Sequence, residues 1–166
     1  MSDSQEAQQA AQQAAQLAQA LAEATARSMF ARDAATQALG MQIVKMAPGY
    51  AQLSMPVRPD MLNGHQTCHG GFIFALADSA FAFACNSHNR NTVASGCGID
   101  YLAPGRAGDV LMAEAVEQSR SGRTGVYDVT ISDQAGTRIA LFRGKSYQVS
   151  GEVVQEVFAS KPAAGG

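Results

Sequence analysis

A single carboxylate lies inside the most apolar stretch of this 166-residue chain. From Phe72 to Cys85 nearly every residue is Ala, Phe, Leu or Ile, and Asp78 is the acidic residue among them. If this run is helical, the neighbours three and four residues from Asp78 are all phenylalanines and alanines. An ionised carboxylate in such surroundings loses solvation, and this is tolerated mainly where the carboxylate is used. The pattern therefore predicts that Asp78 is a catalytic group.

Two adjacent glycines, Gly70 and Gly71, stand where this helix would begin. The first N–H groups of a helix have no internal partners, and they lie at the positive end of the helix dipole. Because glycine has no side chain, a ligand oxygen can approach these N–H groups closely. The pair predicts a pocket that polarises a carbonyl group or stabilises an oxyanion.

The separation of Gly70 from Asp78 limits how the two can act together. Eight residues of helix, at about 1.5 Å of rise per residue, place them roughly 12 Å apart. One small carbonyl group cannot be reached by both from the same chain. If both act on it, the glycine loop of one subunit faces the helix of another, so the spacing predicts a composite site in a two-fold oligomer.

The elements around these residues predict an α+β fold. The apolar run is hydrophobic on all sides, which is typical of a helix buried in a domain core. Strand-like runs, separated by glycine- and proline-containing turns, precede and follow the helix. They cover residues 41–46, 50–57, 92–102, 110–118, 124–133 and 138–150. This order predicts an antiparallel sheet wrapped around one long central helix.

Three segments divide the chain. Residues 1–39 form an Ala/Gln-rich N-terminal extension with high helix propensity, which we expect to run as one helix up to a C-terminal cap at Gly40. Residues 40–150 form the globular domain. Residues 151–166, which end in Pro, Ala and Gly, are predicted to be a flexible tail.

Composition excludes several function classes. The net charge is −2 and no basic patch or tail is present, which argues against a nucleic acid partner. No apolar run approaches the roughly 20 residues that a membrane-spanning helix needs. The three cysteines are odd in number and have no C-x-x-C spacing, so we expect reduced thiols in a cytoplasmic protein.

Several motifs together resemble those of the hotdog-fold acyl-CoA thioesterases, and in particular the members that act in phenylacetate degradation. The resemblance extends over residues 38–150. The motifs are Leu62-Asn63-Gly64-His65, Cys68-His69-Gly70-Gly71, Leu76-Ala77-Asp78, Leu102-Ala103-Pro104-Gly105, Thr124-Gly125-Val126-Tyr127-Asp128 and Ala140-Leu141-Phe142-Arg143-Gly144-Lys145-Ser146.

The resemblance implies a role for each matching residue. Asp78 would activate water as general base or attack the thioester directly, and the backbone N–H of Gly70 would polarise the thioester carbonyl in the other subunit. Asn63 and His69 would orient water and substrate, and Gly71 would let the backbone approach. The substrates would be phenylacetyl-CoA and its ring-hydroxylated forms.

The resemblance also implies an assembly and contacts for the substrate. Family members pair their sheets into dimers, which associate into a homotetramer as a dimer of dimers. We expect an acyl pocket lined by apolar residues, with Phe72, Phe74 and Met61 as candidates. Basic residues near the strand ends are candidates for the CoA phosphates: Arg143 and Lys145 first, with Arg106, Arg120 and Arg123.

The chemistry needs no metal and no cofactor beyond the CoA of the substrate, because a thioester carbonyl is electrophilic and its thiolate leaves readily. A metal site at His65, His69 and Asp78 and a nucleophilic Cys68 beside His69 are both disfavoured. Two alternatives stay open. One is an acyl-CoA dehydratase or hydratase of the same fold with His69 as base, and the other is a non-catalytic acyl-CoA-binding module.

Overall fold

The computed structural model describes residues 2–155. Of the tail predicted for residues 151–166, residues 156–166 lie outside the described part, so this prediction is not tested. The division into an extension, a domain and a tail likewise stays a prediction. No helix within residues 2–155 is both long and apolar enough to cross a membrane.

Two helices, rather than one, precede the sheet. Helix α1 spans Ser2–Phe30 and α2 spans Ala34–Ala38, so the prediction of a continuous helix to residue 39 was wrong. The physical reason is Asp33, whose side chain accepts a hydrogen bond from the backbone N–H of Thr36 at 3.0 Å and thereby starts a new helix. The predicted stop at Gly40 is confirmed by its positive φ of 71°.

All six predicted strands are present, with small shifts at their ends. They are β1 (Gln42–Ala47), β2 (Tyr50–Pro56), β3 (Thr92–Tyr101), β4 (Val110–Ser121), β5 (Thr124–Ser132) and β6 (Arg138–Gln148). They form one antiparallel sheet in the order β1-β2-β4-β5-β6-β3. Because β3 pairs with β6, the strand that follows the central helix forms an edge of the sheet.

The central helix α3 spans Gly70–Asn86 and packs against five of the six strands, β2 to β6. It packs tightly against Gly144 of β6, where an added Cβ would lie 2.7 Å from the Phe81 ring. Phe81 also makes an edge contact with Tyr127 at 5.6 Å between ring centroids. The α+β prediction of a sheet around one long helix is therefore confirmed.

One face of α3 is not covered by its own chain, so the prediction of burial on all faces was only partly right. Ile73, Leu76 and Ala80 are buried, whereas Ala75, Asp78 and Ala82 are partly exposed. These last three lie at helical spacing on one face. Asp78 is therefore at the edge of the core rather than within it.

The two edges of the sheet differ. At β1, the Gln19 amide of α1 donates a hydrogen bond of 2.8 Å to the backbone carbonyl of Met46, so α1 covers part of that edge. At β3, the opposite edge carries exposed apolar groups, with Val93 and Tyr101 exposed by 49% and 51%. Bare edges with apolar side chains are typical pairing sites for another strand.

Candidate active site

The start of α3 presents one free backbone donor. His69 caps the helix, and its Nδ1 accepts a hydrogen bond of 3.0 Å from the N–H of Gly71. The N–H of Gly70 has no hydrogen-bond partner among the described residues. An unpaired N–H at the positive end of a helix is suited to bind a carbonyl oxygen or an oxyanion.

The hydrogen bond from Gly71 also fixes the state of the His69 ring. Because Nδ1 accepts, the neutral ring carries its proton on Nε2. His69 is exposed, so this Nε2–H can donate to a bound molecule. The same ring cannot easily act as a base through Nδ1, since that lone pair is already used.

Tyr101 of β3 holds the glycine pair from the other side. Its hydroxyl donates a hydrogen bond of 2.8 Å to the carbonyl oxygen of Gly70. The peptide group between Gly70 and Gly71 is thus held at both ends, by Tyr101 and His69. A Cβ on Gly70 would lie 3.0 Å from the Tyr101 ring and hydroxyl, so a side chain there would force Tyr101 to move.

Asp78 lies half-buried on the uncovered face of α3. Burial raises the pKa of its carboxyl above the usual aspartate range, and a hydrogen bond from Cys97 partly opposes this rise. The Cys97 Sγ donates to Oδ1 of Asp78 over 3.9 Å, which is long even for a thiol. A carboxylate with a raised pKa is a stronger base than an aspartate on the surface.

Asn63 organises the loop that leads into α3. Its side-chain oxygen accepts hydrogen bonds from the backbone N–H groups of His65 and Thr67 and from the Thr67 hydroxyl, at 2.9–3.3 Å. No described group accepts a hydrogen bond from its amide nitrogen. Asn63 therefore shapes the loop through its oxygen and has an amide donor left for a ligand, and its catalytic role stays a prediction.

The apolar candidates lie in different environments. Phe72 is partly exposed and lies beside His69, with 6.3 Å between ring centroids, and Phe74 contacts Phe142 of the sheet at 5.4 Å. Met61 has no exposed surface. Within one chain, Phe72 and Phe74 have surface available for an acyl group and Met61 has none.

Arg143 and Lys145 lie on the outer face of the sheet. Phe142 and Gly144, which alternate with them along β6, face α3, so the two basic side chains point away from the face that carries Asp78. Arg143 donates two hydrogen bonds, of 2.6 and 2.7 Å, to Asp128. Within one chain the structure does not bring them to Asp78, and their contact with CoA stays a prediction.

The other basic candidates and the thiols contribute little to this cluster. Arg120 lies 3.6 Å from Glu117, and Arg123 stacks over the Tyr147 ring at 4.7 Å. Burial raises the pKa of Cys68, which keeps its thiol protonated and unsuited to nucleophilic attack. Among residues 2–155, no group of three His, Cys, Asp or Glu side chains is arranged to hold a metal ion.

Cys97 and Tyr101 were not predicted as site residues. Alternation along β3 places residues 97, 99 and 101 on one face of the strand, and this face meets α3 at both Asp78 and Gly70. Only the position of β3 beside β6 brings this face to the helix. The alternation of side chains along a strand predicts that Cys97 and Tyr101 share one face of residues 92–102, but it does not predict what that face contacts.

Comparison with known proteins agrees with this arrangement. Residues 65–140, which include the start of α3 and Asp78, match the thioesterase superfamily. The chain is 50% identical over 131 residues to the acyl-coenzyme A thioesterase PaaI of Escherichia coli, an alignment that covers 79% of this chain and 94% of the relative. The chain belongs to the thioesterase superfamily. The prediction of an enzyme that hydrolyses thioesters is confirmed at this level.

Solved structures of members of the thioesterase superfamily share the fold. The structure of E. coli PaaI, from the phenylacetic acid degradation operon, superposes with a TM-score of 0.79 at 49% identity, covering 80% of this chain and 96% of that one. A mutant of the phenylacetic acid degradation protein PaaI from Thermus thermophilus gives 0.66 at 43% identity, with 69% and 97% covered. The hotdog fold is thereby confirmed.

A more distant member was solved with a ligand. The protein smu.793 from Streptococcus mutans, bound to acetyl-CoA, superposes with a TM-score of 0.64 at 26% identity, covering 68% of this chain and 90% of that one.

Proposed function

We propose that this chain is an acyl-CoA thioesterase that hydrolyses phenylacetyl-CoA and ring-hydroxylated phenylacetyl-CoA to the free acid and CoA, in phenylacetate degradation. Each active site combines Asp78 of one subunit with the backbone N–H of Gly70 of the partner subunit. We place the enzyme in the cytoplasm, as a homotetramer built from two dimers.

The observation that carries the proposal is the placement of two complementary groups on one helix. The free N–H of Gly70 and the half-buried carboxylate of Asp78 both belong to α3, eight residues and about 12 Å apart. Neither is sufficient alone for acyl transfer, which needs an oxyanion donor and a base or nucleophile within reach of one carbonyl.

The sheet edges support a two-fold arrangement that brings them together. Edge β1 is partly covered by α1. Edge β3 has no covering element within the part of the chain that the structure describes, and it contacts the uncovered face of α3 through Cys97 and Asp78. Pairing β3 with β3 of the partner subunit would cover both surfaces at once. The partner's chain would then lie against the side of α3 that carries Asp78, as the composite site requires.

Hydrolysis then needs few steps. The Gly70 N–H of the partner subunit binds the thioester oxygen and stabilises the negative charge that develops on it. Asp78 either takes a proton from the attacking water or attacks the carbonyl carbon itself, with water then hydrolysing the mixed anhydride. In both routes the CoA thiolate leaves and is protonated. The Nε2–H of His69 and the amide of Asn63 are donors that orient substrate and water.

The choice of substrate rests on the relatives. The E. coli and T. thermophilus proteins carry names from phenylacetate degradation, and the S. mutans protein was solved with acetyl-CoA. We assign the acyl pocket to Phe72 and Phe74, and the CoA phosphates to Arg143 and Lys145. Met61 has no exposed surface, so we do not assign it a contact with the acyl group. Gly71 keeps the backbone open at the helix start.

Hydration chemistry is the second candidate, and one contact argues against it. A dehydratase would use His69 as base, but Nδ1 already accepts from Gly71, and the remaining ring nitrogen carries the proton. A non-catalytic acyl-CoA-binding module would not need a carboxylate with a raised pKa next to an apolar helix face.

The test is thiol release from phenylacetyl-CoA, followed with a thiol-reactive dye, for the wild type and for Asp78→Asn. We expect steady release by the wild type and a loss of at least about a hundredfold in the variant. Asp60→Asn is the matched control, since this carboxylate is exposed and pairs, within residues 2–155, with Arg58 alone, and it should keep full activity. If the wild type released no thiol from a panel of aryl and aliphatic acyl-CoAs, the proposal would be wrong.

A further inference from the structure

The catalytic carboxylate has one hydrogen-bond donor within its own chain. Among the described residues, only Cys97 hydrogen-bonds to Asp78, through Sγ and Oδ1 at 3.9 Å. The two belong to different elements, β3 and α3, and are 19 residues apart in the sequence. The contact therefore depends on tertiary packing rather than on a local turn.

The packing that creates this contact is specific. Cys97 pairs with Gly144 in the register of β3 and β6, so both residues face α3. Gly144 has no side chain, and an added Cβ would collide with Phe81. The helix can approach the sheet here only because this position is glycine, and that approach brings Asp78 within reach of the thiol.

The groups that face Asp78 carry no compensating charge. They are the thiols of Cys97 on β3 and Cys85 on α3, and burial raises the pKa of both, so both stay neutral near pH 7. No described lysine, arginine or histidine pairs with the Asp78 carboxylate. A single neutral donor on Oδ1 is then the one hydrogen bond that the described residues make to this carboxylate.

We propose that Cys97 is a positioning residue for Asp78, whose thiol donates to Oδ1 and leaves Oδ2 directed at the water or thioester. This inference rests on the proposed function, because it takes Asp78 as the catalytic carboxylate. Cys97 itself does not react, since a nucleophilic cysteine needs a lowered pKa and this one has a raised pKa.

The first test uses Cys97→Ala and Cys97→Ser. Loss of the donor in Cys97→Ala destabilises the ionised carboxylate, so the acid limb of the kcat profile should move to higher pH. At its plateau kcat should fall about five- to tenfold with little change in KM, as expected for the loss of a typical hydrogen bond, since this contact is long. Cys97→Ser keeps a donor, so it should retain most of the wild-type kcat, and the acid limb of its kcat profile should lie at the same pH as in the wild type.

Thr124→Ala is the matched control, because it removes a side-chain hydrogen bond outside β3, from the Thr124 hydroxyl to the Ser121 carbonyl. It should change neither kcat nor the acid limb. Unchanged kcat and limb in Cys97→Ala would overturn the proposal. The proposal would also be overturned if Cys97→Ala lost activity without a shift of the acid limb of its kcat–pH profile and Cys97→Ser did not restore activity. Such a result would indicate a structural defect.

A second measurement separates this proposal from the proposed function. The pKa of Asp78 can be followed by carbon NMR of labelled aspartate carboxyls, assigned through Asp78→Asn, and it requires no turnover. We expect a higher pKa in Cys97→Ala than in wild type and in Cys97→Ser. Equal values in all three would refute the role of Cys97 even in an active thioesterase. An inactive wild type with a higher pKa in Cys97→Ala would refute the proposed function and, with it, the catalytic role of the contact, although the contact itself would be confirmed.

Discussion

Replacing Gly70 by proline removes the proposed oxyanion donor with little other damage. Three observations make this substitution suitable. The N–H of Gly70 has no described partner, so removing it breaks no hydrogen bond of its own, and the contact of Tyr101 with the Gly70 carbonyl is disturbed equally in an alanine variant. Gly70 is the first residue of α3, where proline is well tolerated. His69 has φ −60° and ψ 131°, the extended conformation preferred before proline.

The matched control is Gly70→Ala, which keeps the N–H. Both variants add a Cβ 3.0 Å from Tyr101, whose side chain is half exposed and can move aside. We expect Gly70→Ala to lose only a fewfold in kcat. Loss of an oxyanion donor typically lowers kcat by about 10²–10³, or about 3–4 kcal/mol of transition-state stabilisation. Gly70→Pro should therefore be about a hundredfold slower than Gly70→Ala or worse.

The assay is thiol release from phenylacetyl-CoA at saturating substrate, with thermal unfolding measured in parallel to verify that both variants fold. The reasoning would be refuted if Gly70→Pro, folded like the alanine variant, had a kcat within about threefold of it. In that case the N–H of Gly70 would not contribute to the transition state.

Two further predictions concern stability. Because burial raises the pKa of Asp78, its ionised form destabilises the folded state above that pKa, so Asp78→Asn should raise Tm by about 1–3 °C at pH 7. The gain should shrink as pH falls through the folded-state pKa and vanish below about pH 3, where aspartate is protonated in both states, and a gain independent of pH would contradict this cause. Gly144→Ala forces a Cβ against Phe81 and should lower Tm by about 2–10 °C, whereas Gly64→Ala, with open space around it, should have little effect.

Local patterns predicted most of the fold because its elements differ clearly in period. The apolar run of α3 and the alternating strands, punctuated by Gly49 and Gly136 with positive φ, could be recognised from the sequence. The break between α1 and α2 was missed, since helix propensity continues through residues 31–33. The break is set by Asp33, whose side chain accepts hydrogen bonds from Thr36 and so starts α2 as a separate helix.

Candidate site residues could be placed on the fold from the sequence where a single element carries them, although their roles stay predictions. Gly70 and Asp78 share one helix, so their types and spacing were sufficient to place them. Cys97 and Tyr101 were missed because their contacts depend on strand order, which local periodicity does not determine. The direction of Arg143 also could not be read from composition, since it follows from which alternate residues of β6 face α3.

Asp78 and Gly70 are proposed to act from different subunits, and mixing two inactive variants can show whether they do. Asp78→Asn and Gly70→Pro are each expected to be nearly inactive, but a mixed dimer holds one site with both intact groups. If the two variants are co-expressed in equal amounts, half of the dimers are mixed and half of their sites are intact. The account predicts recovery to about one quarter of wild-type activity. A mixture that exchanges subunits yet stays as inactive as its parents would contradict a shared site.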